Sequence, residues 1–113
     1  MYYFSTIKLN TFMNNKIQIN QILEVVSKHT GFTIAQIKSA SRKAELVKAR
    51  QISMDLSRWN TKTSMLKIAI EHGRDNHATV IHACNCVHEY KRTSSSFRHL
   101  FETIENEIRS INA

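Results

Sequence analysis

Residues 63–91 read TSMLKIAIEHGRDNHATVIHACNCVHEYK, and their pattern is the most informative about the fold. Apolar residues at helical spacing predict a short helix over residues 64–72, and Gly73 follows where a left-handed residue commonly ends a helix. Asn76 is a good cap for a second helix, which continues to about Lys91. The inner stripe of the first helix is Met65, Ile68 and Ala69. The stretch therefore predicts a helix-turn-helix with a tight glycine turn.

The second helix of this pair has two faces of different character. The predicted core face comprises Val80, Ile81, Cys84 and Val87. The opposite face comprises His77, Ala78, His82, Asn85 and Glu89. Compact polar side chains at a helix N-terminus are typical of a helix that contacts base edges and phosphates. We therefore expect the helix that begins near His77 to enter the major groove of DNA.

Three further helices are predicted before this pair. Residues 20–28 form the first, with Gly31 at its end. Thr33 and Gln36 have capping-box spacing and begin a short second helix. A small, basic loop (SASRKAE) is expected over residues 39–45, before a third helix. The apolar positions of these helices are, in order, Ile22, Leu23, Val25 and Val26; Ile34 and Ile37; and Leu46, Ala49, Ser53, Leu56 and Trp59.

A final helix begins at about Phe97, after RTSSS interrupts the chain, and completes an all-α prediction. Its stripe is Phe97, Leu100, Phe101, Ile104, Ile108 and Ile111. With no proline, two glycines and 113 residues, the sequence predicts one compact bundle of about six helices. We expect an N-terminal extension over residues 1–16, with Met13 as an alternative start, and a single domain over 17–113.

The basic residues are concentrated in the first half of the chain. The net charge is +7, and residues 1–62 carry ten Lys and Arg against three acids, whereas residues 63–113 carry six against six. Phosphate binding explains such a concentration because each neutralised phosphate releases counterions. The simpler alternative is a soluble basic surface. Neither a secretory signal nor a bilayer-spanning segment is recognisable, so a cytoplasmic, nucleoid-associated location is expected.

The sequence gives little indication of a metal site, a cofactor or an enzyme. Cys84, Cys86, His77, His82 and His88 share one helix, but only Cys84 and His88 share a face, which is too few ligands for structural zinc. Paired carboxylates, a nucleophile with its base and a G-x-x-x-x-G-K-[ST] loop are all missing from the sequence. We expect no catalysis, no cofactor, no metal and no nucleotide binding.

Several blocks of the sequence resemble the C-terminal DNA-binding domain of the bacterial replication initiator DnaA. GRDNHATVIHAC is similar to that family's motif G-G-R-D-H-[ST]-T-V-[LI]-H-A. The blocks SASRK, ARQISMDL and TSMLKIA precede it in the family's order, so that the resemblance covers roughly residues 18–109 without a gap. It implies a Trp-repressor-like helix-turn-helix fold and double-stranded DNA as the partner.

The resemblance also implies particular DNA contacts. It places Arg42 in the minor groove and the helix beginning at His77 in the major groove, with Ala83 against thymine methyl groups. The implied base contacts are Arg42, Asn76, His77, Ala78, Thr79 and Ala83. The implied backbone contacts are Lys43, Arg50, Gln51, Arg58, Thr61, Lys62 and Arg74.

The sequence departs from the family pattern at the turn and the start of the second helix. Without a gap, Arg74 and Asp75 fall at the family's second Gly and its Arg, and Asn76 falls at its Asp. With Asn76 as an insertion, Arg74 and Asp75 instead retain the family's Arg-Asp pair. Ala78 replaces a hydroxyl residue, and Ala49 replaces a proline. The base preference could therefore differ from that of typical members, and the sequence does not specify the exact target.

Three functions agree with these observations. The first is sequence-specific DNA binding in replication initiation or its regulation. The second is a DnaA-like transcriptional regulator, which in the Trp-repressor manner would dimerise, and the apolar final helix could serve that purpose. The third is a protein-interaction module with weakened DNA binding, favoured by the altered turn at residues 75–76.

Overall fold

The computed structural model describes residues 17–112, in which six α-helices form one bundle. The predicted extension over residues 1–16 lies outside the described residues, and so does Ala113. The helices are α1 (Ile19–Thr30), α2 (Ile34–Lys38), α3 (Ala44–Asn60), α4 (Met65–Glu71), α5 (Ala78–Thr93) and α6 (Ser95–Asn112). The all-α prediction is confirmed. The predicted helix boundaries hold to within about two residues, and Ala44 and Glu45 belong to α3 rather than to the loop.

Local capping interactions explain where several of these helices begin and end. Gly31 ends α1 with φ 82°, and its N–H donates to Ser27 O at 2.9 Å. Thr33 begins α2 with a reciprocal capping box, in which its hydroxyl accepts from Gln36 N at 3.1 Å and its own N–H donates to Gln36 Oε1 at 2.8 Å. Ser64 accepts from Lys67 N at the start of α4.

The central element of the bundle is α3, which packs against all five other helices. Every residue from 49 to 57 is buried, and five of these are polar or charged. A helix buried on all sides is expected at the centre of a fold rather than on its surface. Polar side chains such as Ser53 and Arg50 therefore lie in the interior, where each needs a hydrogen-bond partner.

The core is built mainly from α1, α3, α5 and α6. The predicted stripes of α1 and α6 are buried as expected, apart from Leu100, which is half-buried, and Ile111, which is exposed. The side chain of Glu107 on α6 pairs with both Lys28 and His29 on α1. Within residues 17–112 no helix combines the length and apolar content needed to cross a bilayer.

Three apolar side chains were wrongly predicted to face the core. Trp59 is 66% exposed at the C-terminal end of α3, and Ile81 and Ile111 are also exposed. Trp59 and Ile111 each lie one residue before the end of a helix, with their side chains exposed. Ile81 lies one residue past the buried Val80, on the side of α5 that no other helix covers.

Candidate nucleic-acid interface

The turn between α4 and α5 is held by main-chain hydrogen bonds that require Gly73. Gly73 has φ 77°, its N–H donates to Ile70 O at 3.0 Å, and Arg74 N donates to Ala69 O at 2.8 Å. This pair of bonds is the Schellman arrangement, in which a left-handed residue satisfies the last carbonyls of a helix. A Cβ at position 73 would lie 2.3 Å from Lys38 O, so the turn also touches the end of α2.

A buried histidine fixes the end of α4 against α3. His72 is fully buried, its Nδ1 lies 2.7 Å from Ile68 O, and its Nε2 lies 2.7 Å from Ser53 Oγ. Burial lowers the pKa of His72 to about 4, so the imidazole is neutral at pH 7. This contact orients the first helix of the pair relative to the rest of the domain.

Asn76 lies one residue before His77, the N-cap of α5, and makes two hydrogen bonds to the start of the helix. Its Oδ1 accepts from Ala78 N at 2.8 Å and its carbonyl accepts from Thr79 N at 3.0 Å. Asp75, Asn76, His77 and Ala78 are all exposed, and Thr79 is half-buried. The residues that lead into α5 therefore present their side chains to the surface, where the sequence predicted contacts with base edges.

The loop that carries Arg42 (residues 39–43, the Arg42 loop) lies beside this turn. Arg50 on α3 reaches under it, and its guanidinium donates to Ile37 O at 2.7 Å, to Ser39 O at 2.9 Å and to Ser41 O at 3.1 Å. Arg74 donates from Nη2 to the same Ser39 carbonyl at 3.1 Å. Arg42 itself is exposed.

The Arg42 loop, the turn and α5 together surround an open depression of about 500 Å³. Six of the predicted site residues line it, namely Arg42, Arg50, Gln51, Arg74, Thr79 and Ala83. Three of these are arginines, and the residues lining the depression include no acid. His82, which was placed on the exposed face of α5 but not among the predicted contacts, also lines it. The sequence signal that could have identified His82 is its position four residues after Ala78, which places both residues on the same face of the helix.

A second depression, of mixed charge, lies on the other side of α5. Arg58, His88 and Lys91 line it together with the acids Asp55 and Glu105, and the ring centroid of Trp59 lies 4.7 Å from the Arg58 guanidinium carbon. Lys62 is exposed in the segment that follows α3. The side of α5 that faces the Arg42 loop thus carries arginines and no acid, whereas the other side carries Arg58 and Lys91 beside two acids.

Burial and existing contacts limit how several of the predicted contact residues could reach DNA. Ala83 is 1% exposed because it faces the core, so it is not available to a thymine methyl group. Arg50 and Gln51 are 5% and 8% exposed, and a phosphate could reach them only from within the depression. Thr61 donates both its hydroxyl and its amide hydrogen to Ser57 O, which leaves neither for a phosphate in this conformation. Lys43 lies over the ring of Phe32.

The cysteines of α5 are free thiols in different surroundings. Burial raises the pKa of Cys84 to about 11, which keeps this thiol protonated. Cys86 Sγ lies 3.4 Å from His82 Nε2 near the surface, so this pair also shares a face of α5, and the prediction that only Cys84 and His88 do so is wrong. Among residues 17–112 no three His, Cys, Asp or Glu side chains gather into a group that could hold a metal ion.

A short helix, a glycine turn and an exposed second helix bordered by cations define the helix-turn-helix class of DNA-binding domains. Residues 19–87 match the family model described as "Bacterial dnaA protein helix-turn-helix". The chain belongs to this family.

Full-length relatives agree with this assignment. The chain is 38% identical over 96 residues to the chromosomal replication initiator protein DnaA of Bacteroides fragilis, which is 85% of this chain and 20% of that protein. It is 40% identical over 93 residues to DnaA of Porphyromonas gingivalis, with 82% and 20% covered, and 39% identical over 93 residues to DnaA of Streptococcus equi, with 82% and 21% covered. The chain thus spans about a fifth of the length of these relatives.

Proposed function

We propose that this chain binds double-stranded DNA in a sequence-specific manner, with the start of α5 in the major groove and Arg42 in the adjacent minor groove. One observation carries the proposal: Arg42, Thr79 and His82 line the same depression, whose lining residues include three arginines and no acid. The two elements proposed to contact the grooves, Arg42 and the start of α5, are called the two DNA readers. Their position on one cationic surface suits a ligand with two neighbouring grooves and a charged backbone. An arginine in a narrow, A·T-rich minor groove reads its shape and potential.

The proposed base contacts at the start of α5 are Asn76, His77, Ala78 and Thr79. The first three are exposed and Thr79 is half-buried. Asn and His side chains can donate to and accept from base edges, whereas Ala78 and the Thr79 methyl suit a thymine methyl group. Ala83 is omitted because it is buried.

The proposed backbone contacts lie on both sides of α5. Lys43 and Arg74 serve the side of the Arg42 loop, while Arg58 and Lys62 serve the other side. Such contacts fix the register of the protein on the duplex without reading its sequence. Arg50 and Gln51 would join them if a phosphate entered the depression.

We further propose a role in replication initiation or its regulation, in the cytoplasm and at the nucleoid. Support comes from the similar proteins of Bacteroides fragilis and Porphyromonas gingivalis, each of which is a chromosomal replication initiator protein DnaA. The chain matches only about a fifth of each relative, so the support concerns the DNA-binding part of that role.

Fluorescence anisotropy tests the binding. Two duplexes are titrated with the protein at two salt concentrations. One carries a DnaA box, the site that the DnaA family binds, and the other is a scrambled duplex of equal composition. We expect nanomolar-to-micromolar binding that favours the DnaA-box duplex and weakens steeply as salt increases. Equal binding to both duplexes would remove the sequence specificity. Unchanged anisotropy with both would instead favour the protein-interaction module.

Two substitutions test the assignment of the readers. Arg42→Ala and His77→Ala should each reduce the ratio of the two affinities, because each removes a contact that depends on sequence or groove shape. Lys62→Ala is the control: it should weaken both complexes by a similar factor, since a phosphate contact carries no base information. A ratio unchanged by both reader variants would refute this site even if binding is real.

A further inference from the structure

The Arg42 loop has no regular structure of its own, yet its conformation is held at several points. Ser39 Oγ donates to Gln36 O at 2.6 Å and accepts from Ser41 N at 3.3 Å, and Ser41 Oγ accepts from Lys43 N at 3.2 Å. These bonds shape the loop locally. They do not determine its distance from α5, which carries the other proposed reader.

Arg74 connects the loop to the turn. One of its terminal nitrogens, Nη1, donates to the carbonyls of His72 at 3.3 Å and Gly73 at 3.2 Å, and the other, Nη2, donates to Ser39 O at 3.1 Å. The planar fork of a guanidinium suits this arrangement because its donors have fixed directions. Gly73 also approaches Lys38 O closely, so the turn has a second contact at the residue that immediately precedes the Arg42 loop.

Arg50 and Arg74 share one hydrogen-bond acceptor in the Arg42 loop. Its Nη2 and that of Arg74 both donate to Ser39 O, at 2.9 and 3.1 Å, so two cations converge on one carbonyl. Burial and, secondarily, the charge of Arg74 lower the pKa of Arg50. Hydrogen bonds from charged donors are among the stronger ones, which offsets the repulsion between the two guanidiniums.

We propose that Arg74 is a positioning residue that bridges the helix-turn-helix turn to the Arg42 loop and thereby sets the distance between the two DNA readers. The proposal rests on the proposed function of this surface. A bridge made before DNA arrives lowers the cost of ordering the loop on binding. Arg74 then contributes to sequence preference through Arg42, in addition to any phosphate contact of its own.

A double-mutant cycle tests this role. Affinities for the DnaA-box and scrambled duplexes are measured for the wild type, Arg74→Ala, Arg42→Ala and the double variant. We expect Arg74→Ala to weaken DnaA-box binding by about 10-fold when Arg42 is present and by no more than about 2-fold when it is absent, since groups that act through each other are not additive. The same factor in both backgrounds would mean a phosphate contact alone and would overturn the proposal.

Hydrogen exchange in the free protein tests the bridge without DNA. We expect the amides of residues 39–43 to exchange several-fold faster in Arg74→Ala than in the wild type, because loop opening no longer breaks the contact to the turn. Unchanged exchange would overturn the bridge. If the wild type bound neither duplex, the proposed function would fail, and faster exchange would still identify the bridge.

A matched variant controls for the loss of a surface arginine. Arg98 also donates to a main-chain carbonyl, Lys91 O at 2.6 Å, but it lies where α5 meets α6. Arg98→Ala should leave both exchange at residues 39–43 and the DNA preference unchanged. Equal effects of the two variants would attribute the changes to charge rather than to the bridge.

Discussion

Ser53 Oγ lies 2.7 Å from His72 Nε2, and both side chains are fully buried between α3 and α4. A carbonyl can only accept, so the contact with Ile68 O places the ring hydrogen on Nδ1. Nε2 then accepts the hydroxyl hydrogen of Ser53. The neutral ring is thus fully satisfied, and protonation would add a charge in a site screened from water.

This relationship predicts that stability falls with acidity between about pH 6.5 and pH 4. The pKa of His72 is about 4 in the folded protein and near 6.5 when unfolded, so the unfolded chain binds more protons in this interval. Stability is therefore fully present above about pH 6.5 and decreases toward pH 4, by about 3 kcal/mol at most. Urea unfolding at a series of pH values measures the slope.

Two variants distinguish His72 from the other titrating groups. His72→Gln should be less stable at pH 7 and should lose the His72 part of the pH slope. His99→Gln makes the same substitution at an exposed position and serves as the matched control for its effect on stability at pH 7. A wild-type slope in His72→Gln would mean that another group is responsible.

The two glycines predict different costs for the same substitution. Both have positive φ, 82° at Gly31 and 77° at Gly73, so alanine is strained at either site. At Gly31 a Cβ meets nothing within 4 Å, whereas at Gly73 it would lie 2.3 Å from Lys38 O. Gly31→Ala should cost about 1 kcal/mol, and Gly73→Ala should cost at least about 1 kcal/mol more.

Chemical denaturation of both glycine variants provides the comparison. Gly31→Ala supplies the cost of the backbone conformation alone, so the difference between the variants reports the contact with α2. Equal costs would show that the end of α2 moves away from the turn without penalty.

The sequence predicted that Ile81 faces the core and that Ala83 contacts DNA, whereas the structure exposes Ile81 and buries Ala83. Ile81 is 38% exposed and Ala83 is 1% exposed. Ala83→Leu should therefore destabilise the domain by about 1–3 kcal/mol through overpacking, while Ile81→Ala should cost less than about 1 kcal/mol. Thermal unfolding of the two variants measures both effects. A larger loss for Ile81→Ala than for Ala83→Leu would restore the orientation of α5 predicted from the sequence.

Local signals made the helices predictable. Gly31, Gly73 and Asn76 act through hydrogen bonds within five residues along the chain, so their residue types alone mark helix ends. Helix orientation was less predictable, because α5 has apolar residues at both 80 and 81 and only the packing partners decide which one is buried.

Arg50 shows what the sequence could not predict. In the sequence it is one base among several in a basic segment, and the resemblance to the DnaA family implied a phosphate contact for it. In the structure its acceptors are the carbonyls of Ile37, Ser39 and Ser41, between nine and thirteen residues away. Every residue has a main-chain carbonyl, so residue type does not indicate which carbonyl will accept a hydrogen bond from a distant side chain. The Arg74 contact with Ser39 O, across thirty-five residues, is equally invisible in the sequence.

The proposed backbone contacts of Arg58 and Lys62 predict a measurable salt effect. If both contact phosphates, Arg58→Ala/Lys62→Ala should reduce the slope of log K against log salt by about 2, because each lost contact removes about 0.9. The affinity ratio between the DnaA-box and scrambled duplexes should not change. Anisotropy titrations at four or more salt concentrations give both quantities.

A control of equal charge separates contact from net charge. Lys28→Ala/Arg109→Ala also removes two positive charges, but from α1 and α6, outside the helix-turn-helix. Counterion release depends on phosphates that are actually neutralised, so this variant should keep the wild-type slope to within about 0.5. If both double variants flattened the slope equally, overall charge would explain DNA affinity, and the two sides of α5 would have no special part in gripping the duplex.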